Sequence, residues 1–280
     1  MRSNTGGKRT ELMNPLQRAL VEKVGHDHGF EHVVSSGPQG VMLASARHAA
    51  QALVSSLPAG GFLLHLQGAT PALLPEMQRS FELLRQAEGF AASGEAELAA
   101  MFDRSSSLAR ALPSQAAQDF EATVSGELAQ VPAGLGGTEV ERLVRQRVGQ
   151  QKFRAAMLDY WGSACAVTGV ALPEVLRASH AKPSAECASD AERLDVFNGL
   201  LLVANLDALF DRFLISFDNA GRMLVSQSLL VEVQIQLGLH SDMALRWLSD
   251  EHRVYLDWHR KRLAGWQACA LVTATTAAMT

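Results

Sequence analysis

The chain has few cysteines, few tyrosines and no long apolar run. Its three cysteines, Cys165, Cys187 and Cys269, are odd in number and unevenly spaced. Such a set frames no disulfide scaffold, and it offers no two close Cys/His pairs for structural zinc. No stretch of 18 apolar residues and no basic, apolar and small-residue leader occurs at the N-terminus. The expectation is therefore a soluble protein in the reducing cytoplasm. An overall basic balance is also missing: the net charge is -4, from 25 Lys+Arg against 29 Asp+Glu. That counts mildly against a nucleic-acid binder, although the distribution of charge matters more than its sum.

What is present is enough chain, 280 residues with 48% hydrophobic content, for two modest domains or one large one. Between Arg142 and Arg154 stand Arg142, Arg145, Arg147, Lys152 and Arg154, with no acid among them, and Arg260, Lys261 and Arg262 form a second cluster. Taken alone, a basic run is most often a solvated helix face. Beside a hydrolytic site it becomes a candidate for phosphate contact.

Residues 1–12 read as a polar tail. Asn14-Pro15 opens a helix, with asparagine as cap and proline in the first turn, and Leu16, Leu20 and Val24 form its apolar stripe. Phe30–Val34, Val41–Ala44 and Phe62–Leu66 read as strands, and Ala46–Leu57 as a helix between the last two. From Pro71 to Ala129 the pattern is helical, with a break at Pro113 and a stripe of Leu73, Met77, Phe81 and Leu84. His26, His28 and His32 match no metal motif and read as surface histidines. The Pro/Gly-rich stretch 131–138 is the expected linker between an N-terminal domain, 1–130, and a second domain, 139–270. Thr138 and Glu141 suggest a capping box for a helix running through Trp161. A hairpin is expected across Asp218-Asn219-Ala220-Gly221. A closing helix from Asp250 to Cys269 would pack Tyr255, Trp258 and Trp266, and 271–280 reads as a loose tail.

The most informative stretch runs from Leu176 to Asp218. An apolar run ends at His180, followed by Lys182 and Pro183. Asn198-Gly199 precedes Leu200–Val203, and Asp207 and Asp211 follow with Ala208, Leu209 and Phe210 between them. This reads as strand, loop, strand, short helix. The i,i+4 spacing sets both carboxylates on one helix face, where a hard divalent cation can be held. Each piece has a plainer explanation. A lone histidine after an apolar run is usually packed, Asn-Gly is first a turn signal, and Arg212 could neutralise the aspartates without any metal.

The ordered set S-H-x-K-P, R-L-D-x-x-N-G-L-L-L and L-D-A-L-F-D-R-x-L-I-S-F-D resembles the HNH (His-Asn-His) endonuclease family, in the branch with aspartate metal ligands. Arg147-x-Gly149-Gln150-x-x-Phe153-Arg154, Trp161-Gly162 and Cys165–Gly169 extend the resemblance, which covers about 140–262. It implies an α+β chain: a C-terminal ββα-metal domain with flanking helices, preceded by a small mixed α/β-plus-helical N-terminal domain. It further implies a DNA endonuclease that uses Mg²⁺ or Mn²⁺, as in restriction or phage defence, with the N-terminal domain recognising the target. On this reading His180 is the general base and Asn198 braces the loop or orients the histidine. Asp207 and Asp211 hold the metal, and Lys182, Arg177, Arg212, Arg147 and Arg154 contact phosphates. DNA is the implied partner, and a homodimer would suit cleavage of both strands.

The departures from the pattern are equally specific. Ser179 stands where relatives place a His or Asp ligand, Ala181 and Ser184 replace larger residues, and Phe213 stands where relatives have glycine. A non-catalytic DNA-binding or sensor protein with a degenerate module of this kind is the competing expectation, and RNA is a further candidate substrate.

Overall fold

A computed structural model describes residues 12–68, 70–132 and 137–263. The chain packs as two compact units. One takes the described residues up to Ser163 together with Cys187–Val196, and the other takes Ala164–Glu186 and the described residues from Phe197 onward. The expected division at 131–138 and this division by packing differ, because the long helix after 137 packs within the first unit. Residues 133–136 of the expected linker, the tails 1–11 and 271–280, and Trp266 and Cys269 lie outside the described residues. Among the described residues no helix is long and apolar enough to cross a membrane.

The first unit opens with α1 (Pro15–Asp27), whose start follows the sequence closely. The Asn14 side chain accepts from the Gln17 N–H at 2.9 Å, and Gln17 returns the bond to the Asn14 N–H at 2.9 Å. This reciprocal pair satisfies amides that a helix N-terminus otherwise leaves open. The buried stripe is Val21, Val24 and Gly25, whereas Leu16 is exposed, so the face lies about one position from the one expected. The strands β1 (His32–Gly37), β2 (Gly40–Ala44), β3 (Gln51–Ser56) and β4 (Phe62–Gln67) follow, then α2 (Leu73–Ser80), β5 (Arg85–Gln86) and β6 (Gly89–Ala92). They form an antiparallel sheet in the order β1-β2-β3-β4-β6-β5. α3 (Glu95–Ala111), α4 (Pro113–Leu128), α5 (Thr138–Trp161) and the short α6 (Asp190–Leu194) complete the unit.

Three expectations are corrected here. The helix expected over Ala46–Leu57 is instead β3, in which Ala52, Val54 and Ser56 are buried and alternate with partly exposed neighbours. Alanine-rich composition favoured a helix, but pairing with β2 and β4 overrides that preference. Within the helical stretch, the pair β5–β6 interrupts between α2 and α3, while the break at Pro113 is where the sequence placed it. The Thr138/Glu141 capping box does not form, since Gly137 is the N-cap and no side chain caps the helix.

The second unit is built on a two-stranded antiparallel pair, β7 (Leu176–His180) with β8 (Gly199–Val203), followed directly by α7 (Ala204–Phe210). The register sets His180 opposite Gly199 and Ser179 opposite Leu200. Gly199–Leu202 is buried throughout, which explains the unbroken apolar run in the sequence. β9 (Ile215–Phe217) and β10 (Met223–Val225) form the expected hairpin, with the Asp218 carboxylate accepting from the Ala220 and Arg222 N–H groups at 2.8 and 2.9 Å. α8 (Val231–Gln236) and α9 (His252–Arg260) follow. The molecule is thus mixed α+β with antiparallel sheets.

Candidate functional site

His180 ends β7, and its position depends on the loop that follows it. Asn198 is fully buried. Its Oδ1 accepts from the Lys182 N–H at 2.8 Å, its Nδ2 donates to the Lys182 carbonyl at 3.2 Å, and its own carbonyl accepts from the Ala181 N–H at 2.9 Å. The side-chain amide therefore bonds both backbone groups of Lys182, and with the Ala181 bond it ties Ala181–Lys182 to the start of β8. Leaving either Lys182 group buried and unpaired would cost about 1–3 kcal/mol. These bonds brace the loop.

The acidic pair sits one helical turn apart at the end of α7, with the Asp211 N–H donating to the Asp207 carbonyl at 2.9 Å. The Ser179 hydroxyl donates to the Asp207 carboxylate, so the residue beside His180 is bonded directly to the first of the two acids. Asp211 is held above the ordinary carboxylate range, first by desolvation and then by the Asp207 charge, with Arg212 pulling partly the other way. Arg212 donates to the Ala208 carbonyl at 3.2 Å.

His180 and Asp211 both line a cleft of about 320 Å³, together with Ala178, Pro183, Ser184, Phe213 and His259. Two imidazoles thus border the cleft, and they differ. His259 is fully buried and stacks flat on Phe210, with ring centroids 3.8 Å apart. Its Nε2 lies 3.0 Å from the Phe210 carbonyl and must donate, so its Nδ1, 3.0 Å from the Ser216 hydroxyl, must accept. Both ring nitrogens are committed in a neutral ring, and burial pushes its pKa down to about 4. His259 is therefore a fixed post beneath the end of α7. His180, by contrast, is half-buried at the strand end.

The end of α7 carries an unusual residue. The Phe213 N–H bonds to the Phe210 carbonyl and the Leu214 N–H to the Leu209 carbonyl, each at 2.9 Å, with Phe213 at φ +55°. This is the double-bonded helix terminus that normally places glycine in the left-handed position. The sequence marked Phe213 only as a departure, and nothing in it pointed to His259, whose role depends on a fold that returns α9 beneath α7.

The basic residues expected to contact phosphate are differently occupied. Arg177 donates to the Glu174 and Leu176 carbonyls at 3.0 and 2.9 Å and is exposed. Lys182 is half-buried on the loop that Asn198 braces. In the first unit Arg147 is paired with Glu127, and Arg154 lies on the same helix, α5. Neither is counted among the groups lining the cleft.

No group of three or more His, Cys, Asp and Glu side chains is poised for a metal ion among the described residues. The donors that are present still fit a hard cation. Asp207 and Asp211 offer oxygen only, and the Ser179 hydroxyl is bonded to Asp207. Mg²⁺ in particular keeps several of its waters and is commonly held by one or two carboxylates.

Comparison with known proteins agrees with the placement of this site. The family described as HNH endonuclease matches residues 165–218, a segment from the turn before β7 to the end of β9. No curated protein matches the chain. The segment that carries His180, Asn198, Asp207 and Asp211 is thus an HNH-family domain, a type associated with DNA cleavage and divalent metal ions.

Proposed function

We propose, from the premise of an HNH-family domain over residues 165–218, that this protein hydrolyses phosphodiester bonds of DNA in the cleft shared by His180 and Asp211. The observation that carries the reading is that His180 and Asp211 line one cleft, while Ser179, next to His180 in the chain, bonds Asp207. His180 takes the proton from the attacking water, a task suited to a neutral imidazole near pH 7. Asn198 keeps the loop after His180 from moving, and so keeps the base at a fixed height over the cleft. Asp207 and Asp211 would hold Mg²⁺ or Mn²⁺, which supplies charge neutralisation at phosphorus and at the leaving oxygen when bound. Lys182, Arg177 and Arg212, all in the same unit, would steady the flanking phosphates.

In this reading the N-terminal unit selects the target, as restriction or phage-defence nucleases require, and cutting both strands takes two sites or two successive nicks. Cleavage of plasmid DNA with added Mn²⁺ or Mg²⁺, beside a structured RNA, tests it. Wild type should cut the DNA, and His180→Ala should slow cutting by about 10²–10⁴-fold with the fold intact. Equal cutting by both proteins would remove His180 from the chemistry.

One observation favours a second reading. Ser179 bonds Asp207 from the position where relatives place a stronger metal ligand, as a binding module that has lost its catalytic set would do. Such a module would bind DNA equally with and without Mn²⁺ and cut none.

A further inference from the structure

Phe213 is held in the left-handed region at φ +55°, a conformation that a bulky side chain adopts only against resistance and that glycine adopts freely. Strain of this kind persists where the surroundings enforce it and clusters at functional sites. Here the surroundings are specific. The Phe213 ring lines the cleft with His180 and Asp211. Behind it, the His259 ring lies 4.7 Å away and the Trp258 ring 6.2 Å away, centroid to centroid. The Arg262 guanidinium covers Trp258 at 3.4 Å from its ring centre, and on the cleft itself Phe213 supplies the all-carbon ring beside the imidazoles of His180 and His259. Glycine would close α7 equally well, so a helix terminus alone does not call for this ring.

We propose that Phe213 is a base-stacking wall, and that the cleft accepts an unpaired nucleotide of DNA, in a single strand or a flap, in preference to continuous duplex. An aromatic face gains most from a flat ring with a free face of its own. Bases inside a duplex have their faces covered by neighbours, whereas an unpaired base can stack on a side chain. The Ser184 hydroxyl and the Asp211 carboxylate in the same cleft add polar contacts beside the apolar wall. The inference rests on the nucleic-acid reading of the site, and it adds a substrate class to that reading. Phe213 acts here by positioning the strand, with the proton transfer left to His180.

The test uses the full chain carrying His180→Ala, so that bound DNA stays uncut. A single-stranded oligodeoxynucleotide containing 2-aminopurine is titrated against it, with a matched duplex in parallel. Stacking on Phe213 should alter the 2-aminopurine fluorescence. Phe213→Gly, which relieves the backbone, and Phe213→Leu, which keeps bulk without the ring, should each abolish that change. Both should weaken single-strand binding by about 5- to 150-fold, the range that loss of one stacked base allows. Phe213→Tyr should restore both signals, and duplex affinity should stay unchanged throughout. Single-strand affinity unaltered in Phe213→Gly, or an equal loss for duplex, would overturn the proposal, as would no binding of the single strand at all. A fluorescence change in the His180→Ala protein, found together with a wild type that cuts no DNA, would support the stacking wall and overturn only the hydrolytic reading.

Discussion

Along α5 the basic side chains meet acids. Arg142 pairs with Glu139 at 2.6 Å, Arg145 reaches Glu121, Glu141 and Asp190 at 3.0–3.1 Å, and Arg147 pairs with Glu127. Along α7 the acids meet each other. Asp207 and Asp211 stand one turn apart, Asp207 has a serine rather than a cation as partner, and Asp211 ionises with difficulty. In the sequence both helices display a one-signed cluster, and the basic one is the larger. Only in three dimensions does it emerge that three arginines of the larger cluster are paired with acids of their own unit, while the two acids of the smaller one stand beside each other. A run of like charges in a sequence is thus a question about partners, and the answer separates a structural helix from a candidate binding site.

Acidification should make the largest difference to the unit that carries α7. His259 has a folded pKa near 4, below its ordinary value of 6.5. The unfolded chain therefore binds a proton that the folded one refuses. Stability from this group is complete above pH 6.5 and is lost as pH falls toward 4, by roughly 3 kcal/mol in all. Urea unfolding between pH 7 and pH 4.5, with His259→Asn as control, checks this. A wild type whose pH dependence matches that of His259→Asn would remove His259 as the buried neutral post.

Breaking the α5 network should cost less. Arg145→Ala leaves three acids without their common partner, but its side chain is a third exposed, so a loss of about 1 kcal/mol is expected in denaturant melts. Cleavage and its salt dependence should change little. A large drop in the salt slope on Arg145→Ala or Arg147→Ala would show that DNA competes for these arginines after all.

The smallest effect sharpens the contrast most. In metal-free protein Asp211→Asn removes a like-charge repulsion and should raise stability slightly, by about 0.3–0.5 kcal/mol. Replacing an acid of α5's network, such as Glu121→Gln, should lower it. Thermal melts of the two variants in chelator compare them directly, and a fall in Tm for Asp211→Asn would mean that Asp211 already has its counter-charge.

Several features were legible in the residues because a local cause determined them. Asn14-Pro15 marks the start of α1, Pro113 the break before α4, and Gly199–Val203 the strand before α7. What failed depended on distant partners. Gln51–Ser56 is a strand because β2 and β4 flank it, and Arg85–Ala92 folds back because β4 offers an edge. At the site, the order of His180, Asn198, Asp207 and Asp211 could be read, and so could the spacing of the acids. The bond from Ser179 to Asp207, the tautomer of His259 and the strained cap at Phe213 each join residues brought together only by the fold, and periodicity carries no trace of them.

Titration of the metal-free chain with Mn²⁺, followed by calorimetry, is the most direct probe of whether α7 holds a cation beside His180. Wild type should show a single site that weakens as pH falls, beginning above the ordinary carboxylate range because Asp211 holds its proton more tightly there. Asp207→Ala with Asp211→Ala should abolish it while the protein stays folded. The same binding curve in wild type and double variant, or none in wild type at millimolar Mn²⁺, would contradict the assignment of this pair as a cation site.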